Sequence, residues 1–324
     1  MEDQNYSWGI IGCGNVTEAK SGPAYQQTDG FTIHAVMRRD VKKANSYAKR
    51  HGIPVVHTDA DALIQDPNID AVYIATPPDT HAFYALKVAA VGKVCCIEKP
   101  MAPSYEECEK VVHAFATKKI PLFVAYYRRS LPRFQKVKEW LLEEAIGKVR
   151  HVSWQLTKPA NHLDISKSYN WRTDASIAPG GYFDDLASHG MDLLVYLLGP
   201  IETANGMAVN QQGLYTAKDA VVGNWIHKSG VTGSGSWNFG TENRIDKVEI
   251  FGSKGSIRFA VFAEELLTLD SEGQTYAIRI HNPDPIQLNH VRNMANTLFS
   301  ETTHPSTGET AKHTTWVLEQ LLGK

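Results

Sequence analysis

The chain has 324 residues, 43% of them hydrophobic and 21% charged, with 24 glycines and 15 prolines, which suits about two packed domains and excludes wholesale disorder and collagen-like repeats. With 33 Lys and Arg against 35 Asp and Glu the formal charge is -2, so no broad cationic face for a phosphate backbone is implied and nucleic acid is excluded as the expected partner. The longest apolar runs, such as Ala71–Ala75 and Leu193–Leu198, fall far short of the roughly 20 residues needed to cross a bilayer.

Residues 1–8 read MEDQNYSW, with two acids and no basic segment ahead of an apolar stretch, so the expected location is cytoplasmic and no membrane partner is expected. The cysteines, Cys13, Cys95, Cys96 and Cys108, show no C-x-x-C spacing and read as reduced, buried thiols. From Trp8 to about Ala125, short runs rich in Val, Ile and Ala (Trp8–Cys13, Thr32–Met37, Ala71–Thr76, Val94–Glu98, Leu122–Tyr126) alternate with helical patterns. Such runs lack polar alternation, as strands of a parallel sheet covered on both faces do. Asp40, Thr80 and Ser104 (the last with Glu107 as a capping box) mark helix starts between them. Five units fit one open, doubly wound sheet, an α/β dinucleotide-binding domain over 1–125.

Beyond residue 126 the rhythm changes. The segments Arg150–Thr157, Ala204–Asn210, Val221–Lys228, Gly233–Phe239, Lys247–Phe251, Ser256–Val261 and Tyr276–Ile280 follow one another with turn residues between most of them and one marked helical interlude. That pattern predicts an α+β domain over 126–324 with a large, mostly antiparallel open sheet. Helical periodicity returns at 285–300 and 308–322. In Val221–His227 both alternate sets, Val221, Gly223, Trp225 and His227 against Val222, Asn224 and Ile226, contain residues worth burying, so a homodimer or homotetramer formed through the open sheet is expected.

The first strand runs into Gly12-Cys13-Gly14-Asn15-Val16-Thr17. A G-x-G at the head of a βαβ series points to a dinucleotide: Gly12 permits the tight turn, Gly14 lets the backbone approach a pyrophosphate, and the amides of the following residues open a helix. Thr17 stands where the full fingerprint has Gly or Ala, which predicts looser helix–strand packing. The second strand ends in Arg38-Arg39 rather than in the acid that binds an NAD ribose. Guanidinium groups match a 2'-phosphate, so NADP(H) is favoured, with NAD(H) possible.

Glu98-Lys99-Pro100 closes the fourth run, at the carboxyl end where doubly wound sheets bind ligands. A lysine beside a cationic nicotinamide has reason to give up its proton and can act as base in alcohol oxidation and acid in carbonyl reduction. In the second domain, Pro179–Asp192 carries Asp185 and His189 four apart, on one face of a helix, with Asp192 three further on, so a carboxylate can set the imidazole tautomer. A satisfied core histidine, a capping acid and a metal site compete with that reading. Metal is disfavoured because no other His or Cys stands nearby at ligand spacing.

These motifs in combination, GIIGCGN, Thr76-Pro77 followed by His81, Glu98-Lys99-Pro100 and G-G-x-x-x-D-x-x-x-H, resemble the glucose-fructose oxidoreductase and inositol dehydrogenase family, Gfo/Idh/MocA, over essentially the whole chain. The resemblance implies an NAD(P)-dependent oxidoreductase acting on a sugar, polyol or related hydroxy compound. It implies catalytic roles for Lys99, Asp185 and His189. Gly12, Cys13, Gly14, Asn15, Val16, Arg38, Arg39, Thr76, Pro77, His81, Glu98 and Lys99 fall on the cofactor side. Asp79, behind Pro78, stands where the family often has Asn. Trp171-Arg172 resembles a pair that many members place near the substrate, with domain packing as the other reading, and His162 and Tyr182 are further substrate-side candidates. A nucleotide-binding sensor or scaffold without turnover is the alternative function; a hydrolase leaves the dinucleotide turn unexplained.

Overall fold

The computed structural model describes residues 5–300 and 302–324, so Met1–Gln4, half of the N-terminal segment read above, lie outside the described residues. The chain divides into two units: Met1–Leu131 with Pro283–Lys312, and Pro132–Asn282 with His313–Lys324. A break at 125/126 follows chain order alone, whereas packing returns a C-terminal stretch to the first unit.

The first unit is a six-stranded parallel sheet of β1 (Tyr6–Ile11), β2 (Phe31–Met37), β3 (Val55–His57), β4 (Ala71–Ile74), β5 (Val94–Ile97) and β6 (Leu122–Val124), in the order β3-β2-β1-β4-β5-β6. Five of these match the sequence reading; β3, three residues long, is an addition. The order reverses between β1 and β4, the switch point where such sheets hold ligands at their carboxyl ends. Helices α1 (Asn15–Ala19), α2 (Gly22–Gln26), α3 (Val41–His51), α4 (Ala60–Gln65), α5 (His81–Val91) and α6 (Tyr105–Thr117) connect the strands. Asp40 caps α3 by accepting from Lys43 N at 3.1 Å, and Ser104 caps α6 by accepting from Glu107 N at 3.2 Å, as their sequence positions predict. Thr80 does not cap α5: its hydroxyl turns back to Thr76 Oγ1 and the Pro77 carbonyl, tightening the turn after β4. One apolar layer includes Trp8, Ile10, Tyr25, Val36 and Tyr73, joined by Leu288, Val291 and Met294 of the helix over Leu288–Ser300. That apolar face is why Pro283–Lys312 groups with the first unit. All four cysteines are free and buried.

In the second unit, α7 (Pro132–Leu142) precedes β7 (Val149–Thr157), the one-turn α8 (His162–Ile165) and α9 (Ser188–Leu198). Strands β8 (Ile201–Val209), β9 (Ala220–His227), β10 (Thr232–Asn238), β11 (Ile245–Gly252), β12 (Gly255–Phe259), β13 (Leu267–Ser271) and β14 (Gln274–Ile278) complete an eight-stranded sheet in the order β14-β13-β12-β11-β7-β10-β9-β8. Neighbours are antiparallel except β7 with β10. Strand β13 escapes the sequence reading. In β9 the faces separate cleanly: Val221, Trp225 and His227 are buried while Val222, Asn224 and Ile226 are exposed. Among the described residues no helix is long and apolar enough to cross a membrane.

Candidate active site

The turn after β1 needs glycine twice, for different reasons. Gly12 has φ +96°, and a Cβ there would lie 2.9 Å from the backbone carbonyl carbon of Ala75. At Gly14 a Cβ would meet nothing closer than the Gly12 carbonyl oxygen at 3.8 Å, so the backbone faces open space. Helix α1 behind it, carrying Asn15 and Val16, is five residues long, so an anion here would rest on turn amides rather than on the dipole of a long helix. The expectation of loose packing at Thr17 is corrected: Thr17 is fully buried, its hydroxyl donates to the Gly14 carbonyl at 2.8 Å, and its carbonyl accepts from Tyr47 Oη at 3.0 Å. The extra side chain is absorbed by bonding to its own turn.

Beside this turn, Arg38 donates to the Cys13 carbonyl at 3.0 Å and helps line a cavity of about 200 Å³ with Gly14, Lys43, Ser46, Tyr47 and Arg50. Glu18 also lines it, but Arg50 donates to both of its oxygens, at 2.8 and 3.1 Å, which holds its carboxyl below the usual range. Arg39 is exposed on the next position. Lys43, Ser46 and Arg50 belong to the first turns and the last turn of α3 and carried no motif in the sequence.

At the carboxyl ends of β4 and β5, Glu98 is nearly buried. Its carboxylate accepts from Tyr73 Oη at 2.6 Å, from Gln287 Nε2 at 3.0 Å and from the Lys99 backbone amide at 3.1 Å. Burial first, and this carboxylate second, push the Tyr73 hydroxyl far above its ordinary range, so it stays a donor. The peptide from Lys99 to Pro100 is cis. His81 is fully buried, with Nδ1 2.9 Å from the Pro100 carbonyl and Nε2 2.7 Å from the Thr76 carbonyl. It therefore ties the Thr76-Pro77 loop to the Lys99-Pro100 loop, and burial holds its pKa below the usual value. Sequence reasoning missed Tyr73 and Gln287; the only signal was a hydroxyl inside the apolar run of β4.

In the second unit α9 is pressed against β7. A Cβ on Gly190 would meet the Trp154 ring at 2.2 Å, so only glycine allows this approach, and it fixes the height of His189 beside it. A π-helical turn, Phe183–Ala187, leads into α9. Asp185 lies in that turn and His189 in the α-helix, so the spacing of four spans two helix types rather than one regular face. Single π turns are common at functional sites. His189 is nearly buried, with its ring 6.0 Å from that of Phe262. Arg172 stacks over Trp171 at 4.4 Å and donates from Nε to Asp185 at 2.8 Å, a cation the sequence did not pair with that carboxylate. Asp192 is buried and accepts from Thr314 Oγ1 at 3.0 Å. Tyr182 is buried and donates to Asp164 at 2.5 Å, so its hydroxyl is spent within the fold. His162 is exposed at the start of α8. Among the described residues no group of three His, Cys, Asp or Glu is placed to hold a metal.

A glycine turn at the head of a doubly wound sheet, with a second α+β unit in the same chain, is the architecture of a dinucleotide-dependent enzyme. Residues 6–126 match the oxidoreductase family model with an NAD-binding Rossmann fold, and residues 134–258 match the GFO/IDH/MocA C-terminal domain. Oxidoreductase P35 of Formosa agariphila is 37% identical over 322 residues, 99% of each chain. Levoglucosan dehydrogenase of Pseudarthrobacter phenanthrenivorans is 31% identical over 247 residues, 74% of this chain and 59% of that one. The fold superposes on a levoglucosan dehydrogenase structure in complex with NADH and levoglucosan with a TM-score of 0.87, at 23% identity, covering 98% of this chain and 96% of that one. The chain belongs to the Gfo/Idh/MocA family of NAD(P)-dependent oxidoreductases.

Proposed function

We propose that the enzyme moves a hydride between NADP(H) and a secondary alcohol or carbonyl of a sugar, polyol or related hydroxy compound, with Lys99 and His189 handling the proton. The observation that carries this reading is the threefold anchoring of Glu98, which pins the backbone amide of Lys99 at the carboxyl end of β5. The residues fit the cofactor: Gly12 and Gly14 leave room for a pyrophosphate, and Arg38 and Lys43 line a cavity suited to a 2'-phosphate, in which Arg50 is taken up by the Glu18 carboxylate. Bound there, the cofactor supplies the hydride donor or acceptor. Lys99 takes the hydroxyl proton in oxidation and returns it in reduction, His189 is the second acid–base group, and Asp185, held by Arg172, lies on the same stretch of chain as His189. The name of the levoglucosan relative supports a carbohydrate as substrate class.

The exposed apolar face of the second unit's sheet, with Met207 72% and Val222 47% exposed on paired positions, supports a homo-oligomer, a second copy covering that face. Light scattering at micromolar concentration is expected to give a dimer or tetramer, and a clean monomer refutes it. For the activity, NADPH fluorescence is followed with a panel of sugars and polyols using NADP+ and NAD+. Reduction of NADP+ by at least one member supports the proposal. Tight cofactor binding with no turnover on any member, in either direction, identifies a sensor instead.

A further inference from the structure

A cation in the second unit has no role in the proton chemistry. Lys158 follows β7, and its backbone amide is tied to the Asn238 carbonyl at 3.0 Å. Its ammonium is half-buried, 5.1 Å from the centre of the Tyr182 ring, and makes no hydrogen bond or ion pair among the described residues. The neighbouring carboxylates are otherwise engaged. Asp185 takes the Arg172 guanidinium at 2.8 Å, and Asp164 accepts from Tyr182, Asn170 and Thr173. Burial and the positive charges of Arg244 and Arg172 lower the Lys158 pKa, outweighing the pull of Asp185 and Asp164. The fold thus keeps an ammonium half-buried without a hydrogen-bonding anion of its own, and an incoming anion offsets the cost of that burial.

From this geometry we infer that Lys158 is a substrate-specificity residue that receives a carboxylate, so that the preferred substrates are sugar acids rather than neutral sugars. The inference rests on the proposed activity toward hydroxy compounds and narrows its substrate class. Tyr182 places the ammonium in the segment that carries Asp185 and His189, three and seven residues ahead of them. The surplus is one half-buried charge, because Arg172 is committed to Asp185 and Arg244 is exposed; that suits a monoanionic carboxylate better than a phosphate dianion.

The test compares matched pairs that differ in one group: D-gluconate with D-glucitol, D-galactonate with D-galactitol, and D-glucuronate with D-glucose. Glucose 6-phosphate is added as the phosphate arm. Binding to the enzyme saturated with NADPH is measured by calorimetry for the wild type, Lys158→Gln and Lys158→Arg, with NADPH affinity recorded for each as a check on folding. At least one acid is expected to bind tenfold or more tightly than its neutral partner, the scale of one charged hydrogen bond. That ratio is expected to collapse in Lys158→Gln and to recover at least in part in Lys158→Arg. No acid preference in the wild type, a preference that survives Lys158→Gln, or a stronger Lys158-dependent preference for glucose 6-phosphate overturns the assignment. Because the readout is binding, the two proposals fail separately. Acid-selective binding without hydride transfer refutes the proposed function alone, and turnover of neutral sugars without acid preference refutes this inference alone.

Discussion

Replacing Gly14 by Ala separates cofactor binding from folding, and Gly12→Ala provides the contrast. At Gly12 an alanine must adopt φ +96° and set its Cβ 2.9 Å from the Ala75 carbonyl carbon, which is backbone and cannot swing away. The left-handed conformation alone costs roughly 1–2 kcal/mol, before the clash is added. With about 2–4 °C per kcal/mol for a protein of this class, melting is expected to fall by about 4 °C or more. At Gly14, where φ is -128° and the nearest atom to a new Cβ is 3.8 Å away, the free protein tolerates alanine. The loss at the helix cap, a few tenths of a kcal/mol up to about 1, is offset by about 0.4–1 kcal/mol from the stiffer unfolded chain, so melting is expected to stay within about 2 °C. On the proposed cofactor assignment, the same methyl enters the space left for the pyrophosphate. Losing one charge-assisted contact of about 1.5–3 kcal/mol weakens NADPH binding about tenfold or more. Differential scanning fluorimetry and NADPH fluorescence titration on both variants decide the matter. Wild-type NADPH affinity in Gly14→Ala, or destabilisation as large as that of Gly12→Ala, refutes the assignment of this turn.

Arg38→Ala is expected to reduce the preference for NADP(H) over NAD(H) about tenfold or more, measured as the ratio of dissociation constants; an unchanged ratio removes Arg38 from 2'-phosphate recognition. Tyr73→Phe deletes one donor to the buried Glu98 carboxylate, and kcat/KM is expected to fall about tenfold or more with a lowered melting temperature; wild-type behaviour in both shows that this anchoring is idle. Burial pushes His304 down to about 4, while its ring faces the carbonyls of Ser306 and His290. Between pH 4 and the unfolded value near 6.5 the unfolded chain binds the extra proton, so stability falls as pH drops through that window, by up to about 3 kcal/mol from this group. The stability gap between wild type and His304→Gln in urea denaturation is therefore expected to be smaller at pH 4.5 than at pH 7, and a gap independent of pH refutes this.

What the sequence made legible was local. The dinucleotide turn, the caps Asp40 and Ser104 and the buried runs of β1, β4 and β5 are set by residues within a few positions of one another, and each stands where the pattern places it. Strand β3 is three half-buried residues, too short for a run to register. The return of Leu288–Ser300 to the first unit depends on partners such as Trp8 and Tyr25, far away in sequence. Gln287 reaches Glu98 across 189 positions, a pairing no spacing rule reports. Lys158 is a lone charge after a strand, silent until the carboxylates around it are seen to be engaged elsewhere.

Steady-state turnover of Lys99→Ala, His189→Ala and the double variant, on the substrate found by the NADP+ screen, tests the proton assignment most directly. Each single change is expected to lower kcat by about 100- to 10,000-fold, as removal of a general acid–base group does, and the double variant is expected to lose less than the product of the two. NADPH affinity is expected to hold in His189→Ala. If Lys99→Ala keeps near-wild-type turnover while His189→Ala is inactive, the lysine only positions; if both variants stay active, the assignment is wrong.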